Sequence, residues 1–155
     1  MTMDGHSIVQ TTSLSAGRQI ITKVLFGQPP KDIGIVGELV LDWMTQGFLD
    51  HILDGGITKQ EFGSRVHKEL KNKCMAFKPL GEVTVDCEPY FIKGGKTSGN
   101  PKGSLGVDVL IRYKEKSVIA FELKTGKGMT KSGIAKRQKW IGASVVQVTF
   151  KSTKG

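Results

Sequence analysis

Asp108, Glu122 and Lys124 are the residues whose types and spacing invite chemistry. Alternation along the segment from Ser117 to Thr125 puts Val118, Ala120, Glu122 and Lys124 on one face and Ile119, Phe121 and Leu123 on the other. In the segment before it, Asp108, Leu110 and Arg112 share a face opposite Val107, Val109, Ile111 and Tyr113. If Lys114, Glu115 and Lys116 form a hairpin turn, Tyr113 opposes Ser117, and counting outward sets Asp108 across from Glu122. Two carboxylates so placed repel unless a cation lies between them. The natural occupant is a hard divalent ion, Mg²⁺ first, which takes oxygen ligands, keeps several waters and is completed by substrate phosphate. Lys124, one strand step beyond Glu122, is placed to orient a water or to steady charge growing on a phosphate under attack. On a solvated hairpin the same three residues would be ordinary surface charge, and the local pattern leaves that alternative open.

These side chains need a scaffold. After Pro79 the apolar period changes from near four to two, and three strands are expected, at about Gly81 to Ile92, Gly106 to Tyr113 and Ser117 to Thr125. The loop GGKTSGNPKGS joins the first two. A basic helix from about Lys131 to Ala143, with Ile134, Trp140 and Ile141, precedes a last strand, VVQVTF. Upstream, Thr58 and Glu61 form a capping box that opens a helix to about Lys73, with Phe62, Val66 and Leu70 as its buried stripe. A second helical pattern spans Asp32 to Leu53, with Ile35, Leu39, Asp42, Met44, Phe48 and Ile52 partly in phase and Gly37 and Gly47 weakening it. Before Pro29 and Pro30 come a polar leader and a short helix ending at Gly27. The resulting division is a helical N-terminal extension over 1–57 and an α/β core over 58–155, together one compact domain.

At 155 residues, 38% hydrophobic and 24% charged, the chain has the composition of a soluble globular protein. The charge is unevenly placed. Residues 1–92 hold nine basic and eleven acidic side chains, a net of −2, while residues 93–154 hold fourteen and three, a net of +11. A field of that sign points to a polyanion, nucleic acid first. The residues expected to grip its backbone without reading sequence are Lys93, Lys96, Lys102, Lys127, Lys131, Lys136, Arg137 and Lys139.

Other signals carry less. GGKT at Gly94 to Thr97 fails as a phosphate-binding loop because the required first glycine falls on Tyr90. His6, His51 and His67 have no partner at zinc-ligand spacing, and His67 reads as a structural residue on the shoulder of its helix. Cys74 and Cys87 show neither zinc-knuckle spacing nor the density of a disulfide scaffold. No nucleophile elbow or catalytic-cysteine context is present. Trp43 and Trp140 read as core, with base stacking as a lesser role for Trp140. No apolar run reaches the length of a membrane span, and MTMDGHSIVQ does not read as a signal peptide; if the chain is secreted, a larger polypeptide or a machine carries it.

Asp108, thirteen residues, then Glu122-Leu123-Lys124, in GVDVLIRYKEKSVIAFELKTG, resembles the PD-(D/E)XK nuclease superfamily over roughly residues 58–150, with Val107 where the name-giving proline would stand. More narrowly, EFGSRVHKEL and FELKTGKGMTKSGIAKRQ resemble restriction-fold toxin modules at the C-termini of bacterial polymorphic and contact-dependent effectors. The resemblance implies a restriction-endonuclease-like core, helix, three strands, helix and strand, with a mixed sheet flanked by helices. It implies Mg²⁺, or Mn²⁺ or Zn²⁺, held by Asp108, Glu122 and the main-chain carbonyl of Leu123, with Lys124 assisting the attacking water. A helix glutamate, Glu61 ahead of Glu69, joins the metal, and Gln138 sits near the site. The implied activity is that of a DNase toxin, with a tRNA- or RNA-cleaving toxin as the rival on the same fold and a non-catalytic nucleic-acid-binding module as the rival of another class. It further implies an acidic immunity protein and secretion within a larger effector that acts in a target-cell cytoplasm.

Overall fold

The computed structural model describes residues 6–7, 31–51, 54–93, 95–97, 102–125, 129–149 and 151–152. The leader, the short helix ending at Gly27 and Lys127 lie outside these residues. The elements are β1 (His6–Ser7), α1 (Lys31–His51), α2 (Lys59–Ala76), β2 (Val83–Cys87), β3 (Tyr90–Ile92), β4 (Gly95–Thr97), β5 (Leu105–Gly106), β6 (Val109–Tyr113), β7 (Lys116–Lys124), α3 (Lys131–Ile141), β8 (Ser144–Thr149) and β9 (Lys151–Ser152).

The fold is mixed α/β, with three helices among the described residues. Its principal sheet has the order β2-β6-β7-β8. The β2/β6 and β6/β7 pairs are antiparallel, whereas β7 and β8 are parallel. A parallel neighbour requires a crossover, and α3 supplies it. A smaller antiparallel sheet, β4-β3-β5, and the pair β1-β9 complete the strands.

The helices begin where capping chemistry dictates. Thr58 accepts from the Glu61 amide at 3.1 Å while Glu61 accepts from the Thr58 amide at 3.3 Å, the expected capping box of α2. Thr130 caps α3 with its hydroxyl alone, which accepts the Gly133 amide at 3.1 Å, and Gly142, at φ 76°, ends it in the left-handed conformation that glycine adopts without a Cβ penalty.

Each face of the principal sheet has its own core. On one face α1 and α2 bring Ile33, Val36, Val40, Met44, Phe48, Phe62, Val66 and Leu70 against Val109, Ile111, Ile119, Phe121 and Leu123. Thus α1 shares one hydrophobic cluster with the segment over 58–155. On the other face Leu110, Ala120 and Val145 pack with Phe91, Val107 and Ile141. The α1 stripe is phased differently from the expected one: Ile33, Val36, Val40, Met44 and Phe48 are buried and Ile35 is 53% exposed. Gly37 and Gly47, expected to weaken this helix, are buried in it, and a Cβ at Gly47 would lie 3.4 Å from the Val66 carbonyl. There the missing side chain lets α1 and α2 approach.

The single strand expected over Gly81 to Ile92 is two. Glu88, at φ 49°, turns the chain, and Pro89 has no N–H for a ladder, so β2 and β3 enter different sheets. The strand expected from Gly106 to Tyr113 is likewise divided at Val107 and Asp108, and part of the expected loop is β4. Cys74 and Cys87 are disulfide-bonded, tying the end of α2 to the end of β2, a pairing that their spacing did not announce. Among the described residues no helix is long and apolar enough to cross a membrane.

Candidate active site

The Asp108–Glu122 register results from two offsetting departures. The hairpin turn is Lys114-Glu115, both at positive φ, so Tyr113 pairs with Lys116 and Arg112 with Ser117. A bulge then inserts one residue in β7, and Ile111 pairs with Ile119, Leu110 with Ala120 and Val109 with Phe121. One further step sets Asp108 across from Glu122, and the Asp108 amide donates to the Phe121 carbonyl at 3.0 Å. The turn is one residue shorter than expected and the bulge restores the count.

Asp108 is braced by the strand it faces, since its Oδ2 accepts the Leu123 amide at 2.6 Å. Its carbonyl accepts the Glu88 amide at 2.9 Å. Glu122 is 7% exposed, and its Oε2 is buried with no hydrogen-bond partner. Lys124 Nζ lies 4.0 Å from Glu122 Oε1 and Arg137 Nε 4.0 Å from Oε2, contacts too long for hydrogen bonds. Burial, reinforced by the charge of Asp108 and a hydrogen bond to it, pushes the Glu122 carboxyl up to about 8, against the pull of Lys124 and Arg137. A proton on Glu122 relieves the repulsion between the two carboxyls. A cation between the carboxylates would take that proton's place.

An open cleft of about 250 Å³ meets this pair, lined by Glu88, Tyr90, Gly106, Val107, Asp108, Glu122 and Arg137. Arg137 is held by its own bond, Nε donating to the Gly106 carbonyl at 3.0 Å. Expected among the residues that grip a nucleic-acid backbone, it lines the cleft beside Glu122.

Neither helix glutamate lines the cleft. Glu61 is engaged in the capping box, and Glu69 lies 3.1 Å from His51, in a cluster where His51 also meets Asp54 and Arg65 pairs with Asp54. In that cluster the His51 contact, with Arg65 after it, holds the Asp54 carboxyl below its ordinary value. Gln138 is on the helix foreseen, but its Oε1 accepts the Val145 amide at 3.2 Å and so ties α3 to β8. Lys93, Lys102, Lys131, Lys136 and Lys139 are exposed, and Lys96 falls on β4 opposite Phe91. Lys136 also lies over the Trp140 ring at 4.8 Å.

His67, read from the sequence as a structural residue on the shoulder of its helix, reaches the edge of the site. From α2 it places Nδ1 2.9 Å from the Gly63 carbonyl and Nε2 2.8 Å from the Leu123 carbonyl, with Asp108 Oδ2 3.7 Å from Nε2. Glycine at position 63 marked the approach: a Cβ there would stand 2.5 Å from Thr125 Oγ1. Among the described residues no group of three or more His, Cys, Asp or Glu side chains is assembled for a metal. A cation here would rest on two carboxylates and backbone oxygen, the sparse donor set that suits an ion retaining its waters. Comparison with protein-family models, with curated proteins and with solved structures finds no match to this chain.

Proposed function

We propose that this chain is a metal-dependent endonuclease with a restriction-endonuclease-like core, a DNase toxin domain that cleaves without sequence preference. The observation that carries the reading is the Glu122 carboxylate: 7% exposed, one oxygen without a hydrogen-bond partner, facing Asp108 at a cleft with cationic neighbours. Lys124 and Arg137, each 4.0 Å away, offset the burial of Glu122 only in part, and a cation between the two carboxylates would do so more fully. The succession α2, β2, β6, β7, α3, β8, with β8 parallel to β7, supports the core assignment; β3, β4 and β5 are then an addition between the first and second core strands.

The residues fit a divalent ion. Asp108, Glu122 and the Leu123 carbonyl would hold it, and Mg²⁺, Mn²⁺ or Zn²⁺ when bound supplies Lewis-acid polarisation of a phosphoryl oxygen and a more acidic water. Asp108 is kept on target by the Leu123 amide. Lys124, ion-paired to Glu122 without a hydrogen bond, keeps its donors for a water or a phosphate oxygen. Arg137 sets a guanidinium beside the cleft where charge on a phosphodiester would grow. The exposed lysines of α3 and the β3 end supply salt-sensitive grip on the backbone.

Incubation of the full chain with plasmid and with total tRNA, each with Mg²⁺ and with chelator, tests the reading. Degradation of plasmid with Mg²⁺ alone is the expected result. Cleavage of tRNA only would shift the assignment to an RNase toxin, and binding without cleavage under any divalent ion would leave a nucleic-acid-binding module. The toxin reading also carries an acidic immunity protein as partner and a target-cell cytoplasm, reached within a larger effector, as the place of action.

A further inference from the structure

The Leu123 side chain is fully buried in the core beneath α1 and α2, while its amide and its carbonyl are each engaged by a side chain at the candidate site. Its amide donates to Asp108 Oδ2 at 2.6 Å, and its carbonyl lies 2.8 Å from His67 Nε2. Both ring nitrogens face carbonyl oxygens, and Nε2 has Asp108 Oδ2 at 3.7 Å as a second acceptor, so a proton on Nε2 meets the Leu123 carbonyl. The ring is aimed from its other side by the Gly63 carbonyl one helical turn away. Because Gly63 passes so close to Thr125, α2 meets the end of β7 at the height where an imidazole spans the gap.

From this geometry we infer that His67 is a positioning residue of the site: its Nε2–H donates to the Leu123 carbonyl and so fixes the peptide between Leu123 and Lys124, which carries an oxygen that would hold the ion and leads into Lys124. The inference rests on the nuclease reading for its consequence in catalysis, but not for the hydrogen bond itself. A carbonyl offers two lone pairs, so a bond from His67 orients the Leu123 oxygen while leaving it a second acceptor site. Partners of this kind, which hold a ligand without touching the reacting atoms, typically change activity by 10–100-fold when removed.

The test compares His67→Gln, whose amide nitrogen keeps a donor, with His67→Met, of similar bulk and without one, in the full chain. Losing the bond should move the ¹³C shift of the Leu123 carbonyl, which responds to hydrogen bonds that this oxygen accepts, upfield in the Met variant and leave the Gln variant close to wild type. With Mg²⁺ and plasmid, kcat should fall about 10–100-fold in the Met variant with KM little changed, and the Gln variant should recover most of it. An unchanged Leu123 carbonyl shift in the Met variant, or a loss confined to KM, would overturn the inference. In the wild-type chain, which needs no variant to fold, imidazole ¹⁵N shifts must show a protonated Nε2 at neutral pH; an unprotonated Nε2 also overturns it. Absence of cleavage by the wild-type chain counts against the nuclease reading alone, and the carbonyl-shift and ¹⁵N measurements still decide on His67.

Discussion

At the scale of single residues, Glu122 is where the energetic conflict is concentrated. Its carboxyl, raised to about 8 from the ordinary 4.5, keeps its proton in the folded chain over a range in which the unfolded chain has lost it. Stability should therefore be highest near and below pH 4.5 as far as this group is concerned, fall as the pH climbs through the window up to about 8, and level off above it. Glu122→Gln, neutral at every pH, should flatten that decline and raise the urea midpoint at pH 8, measured in chelator from pH 5 to 9. A steeper decline in the variant would contradict the burial argument. The same substitution, and Asp108→Ala, should abolish Mg²⁺-dependent cleavage with circular dichroism unchanged, because each removes one carboxylate charge from the cation's site. Lys124→Ala should lower turnover while metal binding, followed by Mn²⁺ titration, is largely kept; undiminished turnover would reduce Lys124 to surface charge.

Among the elements, α2 connects the most. It buries Phe62, Val66 and Leu70 in the core, presents His67 to β7 and is joined at its C-terminal end to β2 by the Cys74–Cys87 disulfide. The residue after Cys87 is Glu88, which lines the cleft and pairs with Lys71 of α2 at 3.2 Å. The disulfide therefore fastens one wall of the cleft to the helix behind it. Closing a loop of 13 residues restricts the unfolded chain, so reduction, or the Cys74→Ser, Cys87→Ser pair, should cost about 2–4 kcal/mol in urea unfolding. The pairing itself is checked by mass spectrometry of the unreduced protein, where two free thiols would dismiss it.

For the whole molecule, the decisive asymmetry is electrostatic. Residues 93–154 carry a net +11 and also supply Asp108, Glu122, Lys124 and Arg137, so the acidic pair belongs to the strongly basic part of the chain. A positive field accelerates encounter with any polyanion and equally with an acidic protein inhibitor. Expression of the intact chain in bacteria without a protecting partner should arrest growth, whereas Glu122→Gln should be tolerated. An acidic immunity protein should restore growth and associate more slowly as salt rises. Equal growth of the two strains at matched expression would remove the toxin assignment and leave a nuclease of another role.

Local pattern determined much of this. The capping box at Thr58 and Glu61, the α2 stripe, the alternation in β7 and the crossover helix α3 all depend on neighbours a few residues apart, where period and cap chemistry act directly. Even the facing of Asp108 and Glu122 was legible, although it rests on a tight turn and a bulge whose shifts cancel, and counting along the chain sees only their sum. The split at Glu88 and Pro89 was half written, since proline cannot complete a ladder but does not say which sheet the chain enters next. Tertiary structure alone decided the rest. The phase of α1, the Cys74–Cys87 bond, the withdrawal of Glu61 and Glu69 from the cleft and the approach of His67 to Leu123, 56 residues away, arise from how closely helices settle on a sheet. That distance is set by packing volumes, as at Gly47 and Gly63, and no spacing along one chain encodes it.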